Sequence, residues 1–118
     1  MIATKHAVPP FPPQQQANVP GLTAPMNPQP DDGEESYVGH GQLAGNAAII
    51  TGGDSGIASA VAIAFAREGA DMLVSYLNEH DDAQETQRWA EKAGCRAVLM
   101  PGDIRTTAHC NGIVEHAI

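Results

Sequence analysis

The segment Thr51-Gly52-Gly53-Asp54-Ser55-Gly56-Ile57-Ala58 joins two stretches of different apolar rhythm, and this junction limits the fold more than any other feature. Before it, Ala47-Ala48-Ile49-Ile50 is a continuous apolar run too short for a helix, as expected of a buried parallel strand. After it, Ile57, Ala60, Val61, Ala64 and Phe65 recur at i, i+3, i+4, i+7 and i+8, which is one face of a helix. Gly69, just after Arg67 and Glu68, is its stop signal.

The same alternation continues to the end of the chain. Met72-Leu73-Val74-Ser75-Tyr76 reads as a second strand, and Asp81 or Asp82 can cap a helix that runs to about Ala93 and closes at Gly94. Ala97-Val98-Leu99-Met100 is a third strand, ending at Pro101-Gly102-Asp103. Thr106 or Thr107 starts a third helix, with Cys110, Ile113, Val114 and Ala117 on one face. Strand, helix, strand, helix, strand, helix with short links implies parallel strands and right-handed crossovers. The fold class is therefore α/β: a Rossmann-type parallel sheet with flanking helices, here its first three βα units, over residues 46–118. The expected strand order is 3-2-1, with any ligand at the carboxyl ends of the strands.

Residues 1–45 differ in kind. Eight of the chain's nine prolines precede Asp31, among them Pro9-Pro10-Phe11-Pro12-Pro13, and Asp31-Asp32-Gly33-Glu34-Glu35-Ser36 adds a charged turn. Proline fixes φ and removes backbone donors, so an extended arm is expected. It is either a solvated tail or an arm lying along a neighbouring subunit, in a homo-oligomer, with Phe11, Leu22, Met26 and Tyr37 as anchors.

Charge removes whole classes of partner. A net charge of -8 with only six Lys and Arg offers no footprint for a nucleic acid or an anionic membrane. The amino terminus lacks the apolar core of a secretory signal, and no run is long enough to span a membrane. Cys95 and Cys110 form no CxxC pair and read as reduced side chains of a cytoplasmic protein. His6, His40, His80, His109 and His116 show no ligand spacing, so no metal is expected and solvated histidines are. The acidic pairs read as solvated faces and caps, and Trp89 as a packing residue with nothing basic around it.

The glycine loop carries the chemistry. Gly52 permits a tight turn out of the strand, and Gly56 lets the backbone come close to a bound pyrophosphate. Free N–H groups at the helix start, with the positive end of the helix dipole, favour an anion there, and Ser55 can add a hydroxyl donor. A Walker A loop is excluded, because Gly56 is followed by Ile57 rather than Lys.

At Thr51, Gly52, Gly56 and Ile57 the chain resembles the short-chain dehydrogenases/reductases, whose cofactor signature is Thr-Gly-x-x-x-Gly-Ile-Gly. Asp103-Ile104 is similar to that family's adenine-side element. Pro-Pro-Phe-Pro-Pro, Gly-Glu-Glu-Ser-Tyr and Ser-Tyr-Leu-Asn-Glu resemble a subgroup with a proline-rich arm, so the likeness covers essentially the whole chain. The resemblance implies an NAD(P)-dependent oxidoreductase moving a hydride between the nicotinamide and a small carbonyl or alcohol substrate. It implies a dinucleotide site of Gly52, Ser55, Gly56, Ile57, Tyr76, Asp103 and Ile104.

The family's catalytic serine, tyrosine and lysine follow its fourth strand, and Tyr37 and Tyr76, the only tyrosines here, begin no Tyr-x-x-x-Lys. No catalytic residue is assigned, and the chain reads as a truncated member. The alternative is a non-catalytic dinucleotide-binding fragment or interaction module. Without a fourth strand, the first is expected to be an uncovered apolar edge. Tyr76 stands where NAD-preferring relatives place an acid. It reads equally as a ribose contact and as a partly buried strand-end aromatic, so NAD and NADP both remain open. Ala58 replaces the last glycine of the signature. Its methyl is expected to crowd the pyrophosphate, so that Ala58→Gly would tighten cofactor binding.

Overall fold

A computed structural model of the chain describes residues 9–17 and 21–118; the stretch 1–8, with His6, and Pro20 lie outside the described residues. The elements follow in the order β1 (Ala47–Thr51), α1 (Gly56–Arg67), β2 (Asp71–Tyr76), α2 (His80–Lys92), β3 (Ala97–Pro101) and α3 (Thr107–Ala117). The strands form one parallel sheet in the order β1-β2-β3, with Ile50 beside Val74 and Val74 beside Leu99. This is the expected Rossmann-type α/β arrangement, with β2 central and buried from Met72 to Tyr76.

Side chains alternate across the pleat and so divide the strands between two layers. Ile50, Met72, Val74 and Ala97 meet Ala62 and Ala66 of α1 and Ala90 of α2. Alanines at those helical positions bring both helices close to the sheet. Complete burial of a side chain such as Val74 contributes about 1.5–3 kcal/mol. On the other face Ser75 meets His109 of α3. Among the described residues β1 has no neighbour on its outer side, and Ile49 is 46% exposed. The apolar edge expected there is present.

Two helical faces differ from expectation. The buried residues of α1 are Ser59, Ala62, Ile63 and Ala66, not the stripe from Ile57 to Phe65. Ile57 is 87% exposed and Phe65 is also exposed. The helix is aliphatic almost all round, so its sequence carries two competing i, i+3, i+4 phases, and contact with the sheet selects the other one. On α3 only Ile113 is buried, while Cys110 and Val114 face outward. Helix α2 starts earlier than expected, with Glu79 rather than Asp81 or Asp82 at the N-cap position.

The arm is irregular and folds back on its own chain. The Arg67 guanidinium donates to the carbonyls of Gly33 (3.1 Å), Tyr37 (2.6 Å) and Glu34. Glu68 accepts from the Tyr37 hydroxyl at 2.9 Å and from the His40 amide, and its carbonyl accepts from the Leu43 amide at 2.8 Å. The Thr23 amide donates to Asp82 at 2.9 Å. Asp82 is thus a buried acceptor rather than a solvated acid. Of the four expected anchors, Tyr37 and Leu22 are partly buried, and Phe11 and Met26 are exposed.

Candidate functional site

Three strand ends converge on one cleft of about 400 Å³, lined by Gly52, Asp54 and Ser55 after β1, by Ser75, Tyr76, Leu77 and Glu79 of β2 and its turn, and by Gly102 to Arg105 after β3. The glycine loop hangs from β2: the Gly52 and Gly53 amides both donate to the Ser75 carbonyl, at 2.8 and 3.3 Å. A β-carbon at Gly53 would come within 2.6 Å of Val74 Cγ1, so the loop lies directly on the sheet. Gly52 and Gly56 have φ of +68° and +60°, with open space where a side chain would project. Left-handed backbone at both ends of the loop is what makes glycine necessary there.

Ser55 occupies the N-cap of α1 in extended conformation, but its hydroxyl does not cap the helix. It faces Asp54 Oδ2 at 3.5 Å instead. The first amides of α1, those of Gly56, Ile57 and Ala58, have no carbonyl one turn earlier to bond. Five of the seven residues expected at a dinucleotide site, Gly52, Ser55, Tyr76, Asp103 and Ile104, line the cleft. The exposed side chain of Ile57 does not, and Gly56 contributes backbone at the loop's exit rather than a wall. Ala58 is half-buried against the apolar core and absent from the cleft wall. This position takes part in helix–strand packing.

Several side chains are committed to neighbours. The buried Tyr76 hydroxyl lies 2.8 Å from His80 Nδ1, with the two rings edge to face, and burial pushes its phenol up. Ser75 Oγ lies 3.0 Å from Nε2 of the half-buried His109, so His109 is not the free solvated histidine expected, whereas His80 is exposed as expected and also meets Tyr76. Asp103 accepts from Nε, Nη2 and the backbone amide of Arg105, which together pull its carboxyl down to about 2. Trp89 does have basic company: Arg88 and Lys92 lie over its ring at 4.9 and 4.8 Å.

Beyond the seven expected residues, the cleft wall holds two acids, Asp54 and Glu79, and the basic Arg105. Asp54 is buried, and burial first, then repulsion from Glu79, a side-chain hydrogen bond to Glu79 and repulsion from Asp82, pushes its carboxyl up. Glu79 is only 6% exposed, and its Oε2 accepts from the Asn78 amide at 3.2 Å. The stretch Ser-Tyr-Leu-Asn-Glu carries the signal for Glu79, an acid three residues past the strand end. Among the described residues no group of three or more His, Cys, Asp or Glu is placed to hold a metal, and no helix is long and apolar enough to cross a membrane.

A family profile described as enoyl-(acyl carrier protein) reductase matches residues 52–118, more than half of the chain, starting in the glycine loop. The chain belongs to the short-chain dehydrogenase/reductase family. It is 50% identical over 106 residues to the uncharacterized oxidoreductase YhdF of Bacillus subtilis, covering 90% of this chain and 37% of that protein. A hydroxysteroid dehydrogenase of Escherichia coli superposes with a TM-score of 0.61 and 33% identity, over 66% of this chain and 32% of that one. A short-chain dehydrogenase of Burkholderia cenocepacia, solved in complex with NADP, superposes with a TM-score of 0.63 and 30% identity, over 64% and 31%. The chain spans little more than a third of the length of the curated relatives it matches.

Proposed function

We propose that this chain supplies the adenosine and pyrophosphate half of the cofactor site of an NAD(P)-dependent oxidoreductase acting in the cytoplasm on a small carbonyl or alcohol substrate. The observation that carries this reading is the start of α1. Amides without helical acceptors open beside a cleft formed by all three strand ends, and the two positive-φ glycines leave the space above the loop clear.

In this reading the amides of Ser55, Gly56 and Ile57 hold the pyrophosphate, aided by the helix dipole. Tyr76 forms the wall beside the adenosine ribose, and Asp103 and Ile104 form the adenine side. The bound nicotinamide supplies the hydride chemistry, and the protein supplies placement and electrostatics. Family membership and the NADP complex of the Burkholderia neighbour support a dinucleotide as the ligand. Tyr37 is bonded to Glu68 on the arm and Tyr76 to His80, so neither stands free as a proton donor to substrate. The acid of the reaction belongs to the part of the relatives that lies beyond this chain's match. The exposed Phe11 and Met26 are the arm residues available to a second subunit.

Calorimetric titration of the purified chain with NAD and with NADP tests the reading. Saturable one-site heat with at least one of them is expected. No heat and no shift in melting temperature with either would remove it.

A further inference from the structure

The contact between α1 and α2 carries two hydroxyls among its alanines. Ser59 of α1 and Thr86 of α2 are almost completely buried, with their Oγ and Oγ1 atoms 3.0 Å apart. A helical threonine commonly bonds the carbonyl four residues earlier, and Thr86 reaches that of Asp82 at 3.3 Å. It also reaches the carbonyl of Asp54, in the glycine loop, at 3.5 Å. That carbonyl takes no backbone amide among the described residues.

The glycine loop is thus held from two sides. Strand β2 holds its first half, because the Gly52 and Gly53 amides donate to the Ser75 carbonyl. Helix α2 holds Asp54 through Thr86. The amides of Ser55, Gly56 and Ile57 follow directly, so their placement depends on both attachments. The arm supports the second one. Its Thr23 amide donates to the buried Asp82 carboxylate at 2.9 Å, and a carboxylate stays buried only where donors meet it. Thr23, Pro30 and Asp32 of the arm enclose one cavity of about 190 Å³ together with Ser59, Asp82 and Thr86. Asp54 lines this cavity and the dinucleotide cleft alike, whereas Thr23 and Thr86 line only the cavity.

Resting on the dinucleotide reading above, we infer that Thr86 is a positioning residue of the glycine loop, and that the arm acts on the same loop through Thr23 and Asp82. Neither threonine touches the dinucleotide. Together they hold the loop in the shape that the pyrophosphate needs, so that binding does not have to order it.

The test is calorimetry with NAD and NADP on the full natural chain and on Thr86→Val, Thr86→Ser and Thr23→Pro, each well below its melting temperature. Thr86→Val keeps the branched shape and removes the hydroxyl, and should weaken binding about fivefold, as loss of one hydrogen bond does. Thr86→Ser restores the hydroxyl and should bind within about twofold of the natural chain. Thr23→Pro removes the arm's donor without touching either helix, and should weaken binding severalfold. Unchanged affinity in folded Thr86→Val, or equal losses in Thr86→Val and Thr86→Ser, overturns the inference and leaves the dinucleotide site standing. Unchanged affinity in Thr23→Pro does the same, and decides the matter if Thr86→Val fails to fold. A natural chain silent with both dinucleotides overturns the dinucleotide reading and the inference together.

Discussion

His109 Nε2 lies 3.0 Å from the Oγ of Ser75, which ties α3 to the buried centre of β2 and lays the imidazole ring over Gly102. The turn that carries Asp103 and Ile104 to the cleft therefore rests on a histidine side chain. A β-carbon at Gly102 would overlap that ring. Gly102→Ala is expected to displace His109 and destabilise the chain by about 1–3 kcal/mol, as overpacking does. It should also weaken dinucleotide binding, because Asp103 moves with the turn. Urea unfolding and calorimetry check both effects; full stability and full affinity in the variant would show that His109 does not position the turn.

Asp54 gives a pH signature of opposite sign to that of an ordinary salt-bridged acid. Burial, then the nearby acids, raise its folded pKa above the unfolded value. Its contribution to stability is thus fully present below the ordinary aspartate range and is lost as pH rises through the folded value. Asp54→Asn should raise the melting temperature by a few degrees near pH 7 and leave it nearly unchanged near pH 3. Equal gains at both pH values would contradict the buried-charge account.

The arm latch carries the reverse sign. Hydrogen bonds from the His40 amide and the Tyr37 hydroxyl hold the Glu68 carboxyl below the usual glutamate range. That stabilisation is present above the unfolded glutamate value and is lost as pH falls through the folded one. Glu68→Gln should therefore speed hydrogen exchange at the His40 amide and proteolysis over residues 33–42 at neutral pH, and acidification of the natural chain should do the same. Protection unchanged in the variant would mean that Arg67 alone holds the arm.

Ala58 separates packing from binding. Its methyl lies against the core and not in the cleft. Ala58→Gly should destabilise the helix by about 0.5–1 kcal/mol, from helix propensity alone, and leave cofactor affinity unaltered. Tighter binding in the variant would return the methyl to the pyrophosphate.

What could be read from the chain before folding was whatever is local in sequence. The glycine loop is local: φ of +60° or more at Gly52 and Gly56 demands glycine wherever the chain goes next. Strand and helix order is local too, because the apolar period changes within a few residues. The facing side of α1 is not, since Ile57, Val61, Ile63 and Phe65 make it apolar on every side and only the sheet chooses among them. Nor was the wall of the cleft wholly legible. Tyr76 occupies the expected strand-end position, yet Glu79, three residues later, lines the same cleft, and Arg105 is engaged by Asp103 two residues away. Arg67 and Glu68 look like an ordinary helix terminus until the arm, thirty residues earlier, returns to them.

The most direct test is to label the chain with nitrogen-15 and follow its amide resonances as NAD is added. The account predicts that the amides of Ser55, Gly56 and Ile57, and those of Gly102 to Ile104, move together along one saturating curve, while Ala47 and Asp71 at the opposite end of the sheet stay in place. Saturable binding that leaves the Ser55 to Ile57 amides unmoved would contradict it.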